Sequence, residues 1–245
     1  MPLKKAIKYK YMNPSVVQYR STAFIPVVIT YNEENKRRFA NLLPDSQVME
    51  IMPQSPNTII QSGITLGAPF QYVKDNRSIM FNGHRIDIVE TRQNEQIASE
   101  KDFVDFCIDV FTKITPEVGC YTRFAYVPLF AIDENEEFNC NQWWKTLLVN
   151  TSQIGLPMQE INVTFLLKKN IFINEKEVTL NLHHNLYDGY RLDNKGDKIN
   201  DSILAAFDIN TLEKNNLSFK NDDVVSFFEI ALKEKNILLD NYFAL

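Results

Sequence analysis

Ser78-Ile79-Met80-Phe81-Asn82-Gly83-His84-Arg85-Ile86-Asp87-Ile88-Val89 is the stretch that decides how this chain folds. Two runs rich in β-branched and aromatic residues flank Asn82-Gly83. Both turn residues tolerate positive φ, so the pair predicts a tight antiparallel hairpin. A little further on the period changes. Phe103, Phe106, Cys107, Val110, Phe111 and Ile114 recur at helical spacing and form one apolar stripe. Ser99, with Asp102 three positions later, predicts the helix start. Pro116 and Gly119 predict its end. A hairpin followed by an amphipathic helix is the unit of an α+β layered fold.

Reading outward, 70–73 adds a strand and 23–31 another, which Pro26 places at an edge or a strand start. Residues 33–43 predict a short helix. The Pro-, Ser- and Gln-rich stretch 44–68 reads as a long loop with one short strand near Thr58-Ile59-Ile60. On the other side, 121–132 predicts a long strand, followed by an acidic turn at 133–137 and a short helix over 141–149. Ile161, Val163, Phe165 and Leu167 alternate as a half-buried strand over 160–168. A strand pair over 171–186 turns at Asn174-Glu175. Residues 187–201 read as a solvated loop, and 202–209 as a strand or short helix. Val224, Phe227, Phe228, Ala231 and Leu232 mark a second amphipathic helix, with the apolar tail 237–245 packed behind it.

Two segments share a pattern. Ile79 to Ile88 aligns with Ile171 to Leu180, and Asp102 to Phe106 aligns with Asp223 to Phe227. The expectation is an α+β fold of antiparallel sheets, each covered by a long amphipathic helix, as two related halves. Their bounds are 1–119 and 120–245, and they can pack as one unit.

The 245 residues are 44% hydrophobic and include 17 Phe and 10 Tyr, enough for a substantial core, and the net charge is −5. No run approaches the roughly 20 apolar residues of a membrane span. The N-terminus is basic but lacks the apolar region of a signal peptide, which argues against secretion. Lys4, Lys5, Lys8 and Lys10, interleaved with Tyr9 and Tyr11, are instead a candidate arm for a partner or a nucleic acid. Cys107, Cys120 and Cys140 are odd in number and widely spaced, so they predict a reducing, cytoplasmic setting rather than a zinc or redox motif.

No P-loop, nucleophile elbow or H-E-x-x-H is present, and no cofactor is expected. His84 adjoins the predicted turn. His183 and His184 point to opposite faces of a strand and cannot chelate one ion as neighbours. The Asp- and Asn-rich segment 187–201 lacks the ligand rhythm of a calcium loop. No residue is expected to hold a metal. Trp143-Trp144 is a candidate contact, because adjacent helical residues lie about 100° apart and rarely share one core. One of the two would then cap an exposed apolar patch; the alternative is two aromatics wedged between helix and sheet.

The order of a strand pair near 77–91, a Phe-rich helix near 100–114, the strand 121–132 and a C-terminal sheet ending in the helix 223–235 resembles a sporadically distributed, functionally uncharacterised family of prokaryotic proteins of similar length. Here the strand after the first helix reads Tyr121-Thr122-Arg123-Phe124-Ala125-Tyr126-Val127, which departs from that family's Arg-Tyr-bearing strand. The resemblance carries no catalytic motif. It implies a bacterial cytoplasmic protein encoded near mobile or defence genes. The leading expectation is a non-enzymatic binding or assembly module with a protein partner or as a homo-oligomer, contacting through Trp143, Trp144 and the basic arm. The alternatives are an enzyme assembled from distant residues around His84, His183, His184 and Asp87, and nucleic-acid binding through Lys4, Lys5, Lys8 and Lys10.

Overall fold

The computed structural model describes residues 14–42, 47–50, 69–93, 96–148, 161–192, 196–212 and 217–243. The elements run β1 (Ser15–Ile29), α1 (Glu33–Leu42), β2 (Gln47–Glu50), β3 (Phe70–Lys74), β4 (Arg77–Thr91), α2 (Glu100–Val118), β5 (Arg123–Asp133), α3 (Cys140–Leu147), β6 (Asn162–Ile173), β7 (Lys176–Leu192), β8 (Lys198–Thr211) and α4 (Asn221–Phe243). The fold is mixed α+β. Its described strands form one sheet in the order β2-β3-β4-β1-β5-β8-β7-β6, and the ladders between neighbours are antiparallel.

β4 is doubled back on itself. Residues 77–81 pair with β3, whereas 83–91 pair with β1. Were the strand straight, Asn76 and Thr91 would stand roughly 50 Å apart at about 3.3 Å per residue. Instead Thr91 N donates to Asn76 O at 3.3 Å, and Arg77 meets Glu90. The reversal lies at Gly83, with φ 60°. The Asn82-Gly83 turn of the sequence therefore exists, inside what the ladder joins into one strand.

Pro26 does not put β1 at an edge. β1 lies mid-sheet, between β4 and β5. Pro26 falls where the β4 register shifts between Phe24 and Ile29 and past the last β5 pair, Phe24 with Arg123, so its missing N–H breaks no regular ladder. β6 runs without interruption through Lys168-Lys169-Asn170, and β7 and β8 extend to Leu192 and from Lys198, into the expected loop. The strand expected near 58–60 lies outside the described residues.

The four helices lie on one face. Phe103 of α2 stacks on Tyr19 with centroids 5.1 Å apart, and Phe227 of α4 stacks on Phe124 at 5.3 Å. Phe39 of α1 meets Phe81 at 4.5 Å, and Trp143 of α3 stacks on Phe243 at the end of α4. Each fully buried aromatic contributes roughly 1.5–3 kcal/mol by leaving water. Ser99 caps α2 by accepting from Asp102 N at 3.1 Å, as expected. Pro116 does not stop the helix. It occupies the last turn, and Gly119 closes the end with φ 82° and an N–H to Thr115 O at 2.8 Å. The β1–β5 ladder crosses the 119/120 boundary, and the buried apolar residues form a single cluster.

Candidate binding surface

Alternation along each strand sends one set of side chains to the helices and the other to the opposite face, where none of the described helices lies. Register places five residues of that uncovered face in one transverse row. Asp87 is opposite Thr22, Thr22 opposite Ala125, Ala125 opposite Asn210, and Asn210 opposite Asn181. All five are buried. A polar, buried row on a helix-free face is what distinguishes this surface.

Two networks make up the row. Asp87, only 1% exposed, accepts from Thr22 Oγ1 at 2.6 Å, from Arg85 Nε at 2.6 Å and from Arg20 Nε at 3.2 Å. These donors satisfy the carboxylate and hold it in place. Beside it, Asn210 Oδ1 accepts from Arg123 at 2.9 Å and from Asn181 Nδ2 at 3.2 Å, while its Nδ2 donates to Asp208 at 2.9 Å. The Arg123 guanidinium also lies over the Phe24 ring, 5.0 Å from its centroid. Arg123 Nε and Asn181 Oδ1 remain without a hydrogen-bond partner. This network thus holds one spare donor and one spare acceptor, the complement of an amide group. Sequence reasoning missed Arg123, Asn181 and Asn210. The available signal was a polar residue recurring at alternate positions of otherwise apolar strands.

The expected site residues do not converge. Trp143 and Trp144 are 3% and 1% exposed, so neither caps an exposed patch. They contact each other edge to face, and Trp143 Nε1 donates to Tyr242 O at 3.4 Å. The end of α4 supplies the second wall that lets adjacent tryptophans both be buried. Lys4, Lys5, Lys8 and Lys10 lie outside the described residues. His84 is exposed beside the turn, with Nδ1 3.3 Å from Ile25 O. His183 shares the uncovered face with Asp87, but four strand spacings of about 4.8 Å separate them. His184 points to the helices, where Nδ1 meets Tyr242 Oη at 2.8 Å. Burial, aided by His183, lowers its pKa.

Two clefts lie elsewhere. One of about 780 Å³ is walled by Arg77, Glu90 and Phe106, and its Arg77 and Glu90 already pair with each other. Another of about 550 Å³ is lined by Cys140, Asp188 and Asp201. Burial raises the Asp188 carboxyl, and burial with Glu134 nearby pushes the Cys140 thiol up to about 12, so that thiol is a poor nucleophile. Among the described residues, no three His, Cys, Asp or Glu side chains could hold a metal, and no helix is long and apolar enough to cross a membrane.

Compared with known proteins, the chain matches no protein family, no curated protein and no solved structure.

Proposed function

We propose that the chain is a non-enzymatic protein-binding module, working in a bacterial cytoplasm, whose contact surface is the uncovered face of the sheet. The observation that carries this reading is the unsatisfied pair in the buried row, Arg123 Nε and Asn181 Oδ1. Unpaired buried polar atoms cost free energy unless a partner completes them. Both atoms are closed off from solvent in the free chain, so a partner's backbone carbonyl and N–H would complete them only as the Arg123 and Asn181 side chains turn outward on binding. A nucleic acid fits this face less well, because Arg20 and Arg85 are both engaged by the single carboxylate of Asp87, and Arg191 pairs with Asp133. Phosphate binding needs cations free to release counterions.

The module is a duplicated unit in this reading. With the two arms of β4 counted as separate strands, each side of the sheet runs outward from the β1–β5 centre in matching chain order, and β3 corresponds to β6. The two-residue turns Asp75-Asn76 and Asn174-Glu175 share a first residue at φ 52°. The equivalence is therefore 75–76 with 174–175, in place of 82–83 with 174–175.

The test is capture of partners from the native host by the tagged full chain, with intact-complex mass spectrometry. The captured protein is then titrated as a purified component. Arg123→Ala should weaken binding about tenfold, the worth of one charged hydrogen bond, and Asn181→Leu about fivefold, the worth of a neutral one. Lys113→Ala, on the helix layer, should leave binding unchanged. Equal binding by all three variants overturns the proposal.

A further inference from the structure

The two ends of the sheet are finished differently. At one end β3 carries a further strand, β2, paired along its outer edge from Gln47 with Val73 to Glu50 with Phe70. At the other end the corresponding strand, β6, is last in the sheet order among the described strands. β6 is 12 residues long, and its register with β7 is unbroken from Asn162 to Ile173. It contains no proline and no bulge, and the edge protection its own sequence offers is the lysine pair Lys168-Lys169, past the apolar run Phe165 to Leu167. Phe165, Leu166 and Leu167 are 38%, 50% and 53% exposed. They alternate between the two faces, so the side chains are bare on both sides of the edge.

The geometry points to a second copy of this chain as the occupant, joined β6 to β6 in an antiparallel pair. This inference is independent of what binds the uncovered face. An extended edge accepts an extended strand through backbone hydrogen bonds. The same edge on another molecule has the same length and the same apolar centre. Two identical antiparallel strands related by a twofold axis must cross at a residue that faces itself. Crossing at Lys168 or Lys169 sets like charges opposite each other, which is unfavourable. Crossing at Leu167 gives the longest overlap free of lysine facing lysine. It sets Leu166 opposite Lys168 and Phe165 opposite Lys169, whose charge already meets Glu234 at 2.7 Å. The helix layers then fall on one side, and the two uncovered faces join into one.

Sedimentation velocity on the full chain should show a dimer, and Leu167→Lys should weaken self-association about tenfold or more by placing two cations in contact. Leu167 is exposed, so the variant's thermal midpoint should stay at the wild-type value and show that it folds. Leu167→Cys in a Cys120→Ser background adds a geometric readout. Residues directly opposite across an antiparallel pair stand about 4.5–5.5 Å apart at Cα, within disulfide reach. An added oxidant should therefore link the copies at position 167 and not in Thr164→Cys, which lies off the crossing point. A wild-type monomer, a dimer untouched by Leu167→Lys, or equal linkage at 164 and 167 would overturn the inference. So would a monomer whose β6 edge is held by a different protein or by another segment of its own chain.

Discussion

With the two arms of β4 counted as separate strands, β3 and β6 both stand fourth from the β1–β5 centre, and each leads through a two-residue turn into its neighbour. Their surroundings differ. β3 is flanked by β2 and roofed by α1: Phe70 and Tyr72 are buried, their rings pack with Phe81, and the Tyr72 hydroxyl donates to Lys36 O at 2.9 Å. β6 has one neighbour among the described strands and a partial roof, where Phe165 meets Tyr242 and Lys169 meets Glu234. Burial along a strand is thus set by its neighbours rather than by its own residues. The hairpin turns also carry similar clamps of different origin. Glu90, on a strand, accepts from Asn76 Nδ2 at 3.2 Å and from Ala98 N at 2.7 Å, and pairs with Arg77. Asp223, in the first turn of α4, accepts from Asn174 Nδ2 at 2.8 Å and from Lys220 N at 2.7 Å, and pairs with Lys176. Each carboxylate ties a turn to the start of a long helix.

The comparison is broken most sharply at Tyr72. Tyr72→Ala should cost about 3–5 kcal/mol, the usual penalty for emptying a buried aromatic site, read by urea denaturation. The clamps come next. Glu90→Ala and Asp223→Ala should each lose about 1.5–3 kcal/mol by stranding charge-assisted bonds. If only one does, the two turns are not held alike. Gly189→Ala in β7 should cost roughly 1–3 kcal/mol through overpacking, since a Cβ there would lie 2.6 Å from Leu204 Cγ; thermal unfolding checks it.

Acid should act on the C-terminal side through two groups. Burial by itself would raise the Asp223 carboxyl, but bonds from Lys176, Lys220 N and Asn174 outweigh it and hold the pKa below its ordinary value. Its stabilisation is complete above the unfolded carboxylate range, about pH 4, and is lost as pH falls through the folded value. His184, lowered by burial, likewise stabilises the fold above about pH 6.5 and ceases to do so as pH drops through its folded value. A pH series of unfolding midpoints should therefore fall in two steps, with Asp223→Asn removing the lower one. The smallest effect is expected at the bare edge: Leu167→Ala should change stability by less than about 0.5 kcal/mol, measured on dilute protein.

The local devices of this fold could be read from residues alone. The Asn82-Gly83 reversal, the Ser99 cap and the stripe from Phe103 to Ile114 each follow from short-range sterics or period. The central place of β1 could not, because its partners are 54 or more positions away and Pro26 argues locally for an edge. β6 looked interrupted at Lys168-Lys169-Asn170 because a strand exposed on both faces need not alternate. Composition marked 187–201 as loop for the same reason, although most of it is paired in β7 and β8. The tryptophan pair misled because the wall that covers Trp143 comes from the distant end of α4. The Arg123, Asn210 and Asn181 network joins three strands, and only the register brings them into contact.

The mid-sheet position of β1 also sets a schedule for synthesis. β1 is the first of the described strands to be made, yet its β5 edge stays open until residues 123–133 have left the ribosome. Through that interval Ser15 to Phe24 offers unpaired N–H and C=O groups to any other chain. Closing the β1–β5 seam also spans a loop of about a hundred residues, a non-local step that slows folding. Productive folding therefore hinges on protecting a nascent strand that the finished molecule hides at its centre.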